Sequence, residues 1–303
     1  MKQIFLLAYL LFYVSYSQIN SDPEIIKTHL TKITKTDSFR NYKNTQQLNK
    51  TADYISSEFK KYSDSVSFQK FNVNGTTYKN VICSFGTKNK ERIIIGAHYD
   101  VCGNQQGADD NASGVVGLLE LARLLEDEKI NYRIDLVAFT LEEPPFFRTK
   151  NMGSYIHAKS LKDDKALIKG MISLEMIGYF SEEMHSQNYP IPGMEKIYGN
   201  KGDFITLVNK SSKGKFAKEF GDKFVKIASI KTVVFDNTAS LESVEFSDHL
   251  NYWKFGFDAL MITDTSFLRN KNYHRKSDIL ETLNLPKMAK VIDSVFETLI
   301  TMK

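Results

Sequence analysis

Apolar positions fall into two textures along this 303-residue chain. Between residues 18 and 65 they recur at helical spacing within polar surroundings, so residues 25–33 and 45–62 are predicted as amphipathic helices. Residues 67–73 alternate apolar and polar, Asn74-Gly75 offers a tight turn, and 78–85 resumes as a strand, which together read as a hairpin. Beyond it the apolar runs become continuous. Residues 92–97, 134–140, 168–174 and 258–263 predict strands buried on both faces, while 113–128 and 285–302 predict helices. Buried strands alternating with helices predict an α/β fold, a mostly parallel central sheet covered by helices on both sides. No repeat, linker or low-complexity tract divides the chain, so one domain is expected over residues 18–303. Residues 180–202, rich in Ser, Asn, Pro and Gly, predict a long surface loop. In such sheets ligands gather at the carboxyl ends of the strands.

Composition changes this picture little. A chain that is 42% hydrophobic and 25% charged can bury a full core. The net charge is +4 over 40 basic and 36 acidic residues, and the basic ones are dispersed, which argues against nucleic acid as a partner. The amino terminus is different in kind. Lys2, an apolar run over residues 4–14, then Ser15 and Ser17 have the order of a secretory leader cleaved after Ser17. The run is short for a membrane span of about 20 residues. Export to the periplasm or medium is therefore expected, with no stable membrane insertion after cleavage. Two cysteines, Cys83 and Cys102, allow either a disulfide in that compartment or two separate thiols.

The chemistry lies where each buried run ends. The first runs into His98-Tyr99-Asp100, the second into Leu141-Glu142-Glu143, the third into Leu174-Glu175-Met176. Gly107 to Gly114 reads GADDNASG and leads into a helix, and Asn272-Tyr273-His274 follows the last strand. Singly these have bland readings: a hydrogen-bonded histidine, a solvated acidic pair, a helix cap. Jointly they do not, because carboxylates at the ends of buried strands are costly unless a cation neutralises them. Histidine, aspartate and glutamate converging from separate strands form the N/O donor set that zinc takes.

The set HYD, GADDNASG, LEEP, SLEMIG and YHRKSD, in that order from about Val81 to the carboxyl terminus, resembles the M28 family of zinc peptidases. The resemblance implies a mixed sheet sandwiched by helices and two zinc ions sharing one carboxylate. By position it implies His98, Asp110, Glu143, Glu175 and His274 as ligands, Asp110 bridging and Asp109 a mere neighbour. It implies Glu142 as general base, Asp100 as the group that orients His98, and Asp248 in a supporting role. Two departures stand out. Glu175 occupies a place where many relatives carry aspartate, and Pro144-Pro145-Phe146-Phe147 follows the glutamate pair, which points to a reshaped, aromatic pocket wall.

The expected activity is hydrolysis of a peptide substrate, the metals making water acidic and Glu142 taking its proton. A pair of dications also holds a free amine, which favours aminopeptidase action; a carboxypeptidase or dipeptidase is the nearby variant. A glutaminyl cyclase on the same fold would use one zinc, and His98 with Glu175 favours two. A non-catalytic binding module would have lost a ligand or the base, and all are present. Aromatics around Phe146, Tyr252, Trp253 and Phe267 are read first as core and second as pocket lining.

Overall fold

The computed structural model describes residues 20–210, 214–236 and 241–302. The expected leader, residues 1–17, lies outside these. Among the described residues no helix is long and apolar enough to cross a membrane.

Helices α1 (Pro23–Thr34) and α2 (Thr45–Phe59) precede a hairpin of β1 (Val66–Val73) and β2 (Thr76–Phe85). Both helix starts are built by local chemistry. The Asp22 side chain accepts from Glu24 N with Pro23 opening α1, and the Asn44 side chain accepts from Gln47 N at the start of α2. There follow β3 (Arg92–His98), α3 (Gly114–Leu125), β4 (Arg133–Phe139), α4 (Gly153–Asp163) and β5 (Ile168–Leu174). The rest comprises α5 (Glu195–Tyr198), β6 (Ile205–Asn209), α6 (Lys215–Ile227), β7 (Thr232–Asp236), α7 (His249–Lys254), β8 (Ala259–Thr263) and α8 (Leu285–Thr301).

All eight strands form one sheet in the order β1-β2-β4-β3-β5-β8-β6-β7. The centre, β4-β3-β5-β8, is parallel throughout, whereas β1, β2 and the β6-β8 pairing are antiparallel. The fold is thus α/β with a mixed, mostly parallel sheet flanked by helices, as the continuous apolar runs predicted. Ile93, Ile94 and Ile95 of β3 have no exposed surface although they point to opposite faces. Each contributes about 1.5–3 kcal/mol by burial, which explains why this strand does not alternate.

The structure adjusts several expectations. Helix α2 ends at Phe59 rather than 62, and α3 begins at Gly114 after an irregular wide turn over Ala108–Ser113. Strands β6 and β7 and helices α4 and α6 went unread. β6 and β7 are only five residues each and sit at the sheet's margin, too short to carry a period. The expected loop at 180–202 is irregular apart from the one-turn α5. Cys83 is buried on β2, Cys102 is half-buried after β3, and both are free thiols. Tyr252 and Phe146 are core, and Trp253 donates to Ala259 O, so of the aromatics singled out only Phe267 lines the cavity at the strand ends described below.

Candidate active site

The carboxyl ends of β4, β3, β5 and β8 lie side by side and deliver the chemistry to one place. His98 is the last residue of β3, Glu142 and Glu143 follow β4, Glu175 follows β5, and His274 follows β8. Asp110 comes from the wide turn between β3 and α3. Gly107 and Gly114 make that turn possible. A Cβ on Gly107, whose φ is +57°, would meet Asp110 O at 2.2 Å, and one on Gly114 would meet Leu174 O at 2.5 Å. Leu141, Met176 and His274 are non-glycine residues with left-handed backbone at φ 61°, 53° and 56°. Such strain, about 1–3 kcal/mol each, clusters where side chains must be aimed against the backbone's preference.

Two trios result, and they share Asp110. His98 Nε2 lies 3.4 Å from Asp110 Oδ1 and 3.5 Å from Glu175 Oε2. His274 Nε2 lies 3.2 Å from Asp110 Oδ2 and 3.1 Å from Glu143 Oε2. Donors around one tetrahedral zinc at bond lengths of about 2.0–2.2 Å stand about 3.3–3.6 Å apart, and the His98, Asp110 and Glu175 donors, all within 4.8 Å of one another, are close to that. Glu143 Oε1 is buried and accepts no hydrogen bond among the described residues, and the buried Asp110 Oδ2 has only the His274 ring beside it, at 3.2 Å. Buried anionic oxygens without donors are costly, and a dication is the partner that fits them. The residues present therefore suit a metal. Glu142 belongs to neither trio but reaches within 3.8 Å of His98 Nε2.

The electrostatics follow from burial and crowding. Burial pushes the Glu142 carboxyl well above the usual carboxylate range, with His98 opposing and Glu143 and Glu175 adding to it. Burial, together with Asp110, raises Glu143 to about 7, and burial also raises Glu175. Asp110 is buried too, yet His274 and His98 hold it below the carboxylate range. Burial should lower both histidines, but the carboxylates win: His98 is held well above its ordinary value and His274 rises to about 10. The cluster carries more negative charge than two imidazoles offset, so it draws cations or protons.

Supporting contacts hold the cluster. Asp100 stands beside His98, its Oδ1 3.7 Å from the imidazole Nδ1. His98 Nδ1 lies 3.2 Å from the Asp100 carbonyl, while the Asp100 carboxylate accepts from Glu142 N at 3.2 Å and Glu143 N at 3.1 Å. It thus fixes the strand end that carries both glutamates more directly than it fixes the imidazole. Asp109 faces away, accepting from Gly178 N and Asn270 Nδ2. Asp248 is fully buried at the start of α7, its carboxyl raised to about 7 by burial against the pull of His98.

Sequence reasoning missed four positioning groups. Asn111 donates to Leu174 O at 2.8 Å and accepts from Gly114 N and Met176 N, stitching the Asp110 turn to the end of β5. Ser247 donates to Glu175 Oε2 at 2.8 Å. Asp278 accepts from Asp109 N at 2.9 Å and Asp110 N at 3.1 Å. Buried Arg40 donates to Gln106 O and Gly107 O, clamping the same turn from the α1–α2 connection. Asn111, Ser247 and Asp278 stand inside or beside the motifs, whereas nothing local marks Arg40.

A cavity of about 390 Å³ opens from the trios. Phe147, Tyr198, Val208, Phe235, Met261 and Phe267 are among its walls, and its charged members are Asp110, Glu142, Glu143, Glu175 and His274.

The model of peptidase family M28 matches residues 80–299. The chain belongs to this family. YfbL, an uncharacterised protein of Escherichia coli K12, is 38% identical over 99% of the chain and 96% of its own length. A probable leucine aminopeptidase of Trichophyton verrucosum is 25% identical over 78% of the chain and 62% of its own length. The M28 chain thus spans less than two thirds of that fungal protein. Among solved structures, the Legionella pneumophila LapA aminopeptidase superposes with a TM-score of 0.73 at 18% identity, over 92% of this chain and 71% of its own. A Bacteroides thetaiotaomicron glutaminyl cyclase bound to N-acetylhistamine superposes with a TM-score of 0.70 at 18% identity, over 95% and 100%. These two likenesses establish the shared M28 fold and no more.

Proposed function

We propose that the chain is an exported, zinc-dependent M28 aminopeptidase that releases apolar N-terminal residues. The observation that carries this reading is the charge of the cavity wall. Four carboxylates stand at one end of it, and neither lysine nor arginine is among the described residues that line it. Among those described residues a peptide's terminal carboxylate finds no lysine or arginine to pair with, which favours a substrate held by its free amino end. The apolar remainder of the cavity suits the first side chain.

His98, Asp110 and Glu175 would hold one zinc, and Asp110, Glu143 and His274 the other. When bound, the pair polarises the scissile carbonyl and acidifies water. The residues do the rest. Glu142, raised by burial, takes the proton of the attacking water and returns it to the leaving amine. Asp100 holds the backbone of both glutamates, keeping the base and its ligand neighbour turned in different directions.

The test is zinc content together with turnover of a panel of aminoacyl-anilides and a glutamine-initiated peptide, before and after chelation. About two zincs per chain and chelator-sensitive release of leucine or phenylalanine support the proposal. Ammonia with pyroglutamate from the glutamine peptide, and no free amino acid, would instead assign the cyclase reaction.

A further inference from the structure

We propose that a groove beside the cluster receives the leaving half of the substrate and pairs the carboxyl terminus of a short peptide with Lys43. This rests on the aminopeptidase reading above and deepens it by naming the substrate class: di- and tripeptides with a free carboxyl end. The groove, of about 640 Å³, is bounded by the α1–α2 connection, the Gly103-Asn104 turn and Pro144. Pro144 also lines the cavity that contains the carboxylates, so the two spaces share a wall. It directly follows Glu143, and Gly103 follows Cys102, whose Sγ lies within 4.8 Å of donor atoms of Glu143 and His274. The groove thus begins about one peptide step from the cluster. At about 3.5 Å per extended residue, a carboxylate one or two residues beyond the scissile bond reaches into it.

Charge gives the groove its direction. Lys43 is the one charged group among the described residues that line it. Its Nζ lies 5.6 Å from the centre of the Tyr42 ring and pairs with no carboxylate among the described residues. The backbone that carries it is fixed. The Tyr78 hydroxyl donates to Tyr42 O at 2.9 Å, and Lys43 N donates to Asn41 Oδ1 at 3.1 Å. Asn41 Nδ2 donates to Gly103 O at 2.8 Å, which joins the two lips of the groove. Tyr42 also packs edge-on against Phe146, ring centres 5.4 Å apart, tying the lysine to the turn that holds Pro144. The cavity therefore offers carboxylates to an amino end, and the groove offers an ammonium to a carboxyl end. A dipeptide carries both charges a few residue lengths apart and meets its opposite at each, whereas an amide or anilide meets only the first.

Leucine release by the zinc-loaded enzyme from leucylalanine, leucylalaninamide and leucylglutamic α-amide tests this. In wild type, kcat/KM for the free acid should exceed that for leucylalaninamide by about two- to fivefold, the worth of an exposed ion pair, and the difference should lie in KM. It should shrink towards equality at about 1 M salt. Lys43 is exposed on a connection, so its variants are expected to keep the fold. Lys43→Arg should preserve the acid-to-amide ratio, Lys43→Ala should bring it to about one, and Lys43→Glu should invert it. Equal kcat/KM for acid and amide in an enzyme that releases leucine from both overturns the proposal and leaves the aminopeptidase reading intact. A preference for leucylglutamic α-amide without one for the free acid would assign the groove to an acidic side chain and also overturns it. So does a preference for the free acid that survives Lys43→Glu. No leucine from any of the three overturns both readings.

Discussion

At the scale of single residues, two adjacent carboxylates face different histidines where the chain leaves β4. Leu141 takes a left-handed conformation, after which Glu143 faces His274 and Glu142 faces His98. Glu142→Gln is therefore expected to keep its zinc while kcat falls by about 10²–10⁴, the usual worth of a positioned base. Near-normal turnover in a fully metallated variant would sink the assignment. Asp110→Ala removes the one group whose two oxygens face different histidines, so both zincs should be lost together. Metal analysis after gel filtration decides it, and a variant retaining two zincs would refute bridging. The motifs made these residues legible from sequence. Asp100's main partners were not, since Glu142 N and Glu143 N are 42 and 43 positions away and meet it only through strand order.

Between elements, hydrogen bonds convert separate strand ends into one rigid rim. Asp278, on the segment leading to α8, accepts two backbone donors from the Asp110 turn. Asp278→Ala strands both donors, at about 1–3 kcal/mol each, and zinc affinity should fall by roughly 10–100-fold. Isothermal titration would show it, and unchanged affinity would exclude the role. On the opposite face, α4 packs on α7 through buried His157, whose Nδ1 lies 2.6 Å from the Tyr252 hydroxyl. Burial lowers His157 from the ordinary 6.5 to about 4. Below pH about 6.5 the unfolded chain binds a proton that the folded one refuses, so this group's stability is full above that pH and is lost as pH falls towards 4. From pH 7 to 5 it should cost about 2 kcal/mol. Urea unfolding of wild type against His157→Gln measures this share, and equal pH slopes would contradict it.

Over the whole molecule, the sheet order explains why one face of the His-carboxylate cluster is a pocket. β8 joins the parallel centre to the β6-β7 pair, so Met261, Val208 and Val233 from three neighbouring strands reach the same cavity. Leucyl and phenylalanyl substrates should exceed lysyl and glutamyl ones in kcat/KM by about 10–200-fold. Phe267→Ala, at a partly exposed wall position, should lower kcat/KM for the phenylalanyl substrate more than for the alanyl one. Equal losses would show that Phe267 does not touch the first side chain. The sequence by itself determined the α/β class, the central strands and the residues at their ends, because continuous apolar runs ending in charge leave few other folds. Tertiary structure alone decided the margin of the sheet, the pocket, the free state of both thiols and the clamp by Arg40. Each of these depends on which distant segments become neighbours, and short strands, lone cysteines and a single arginine carry no local periodicity that would announce it.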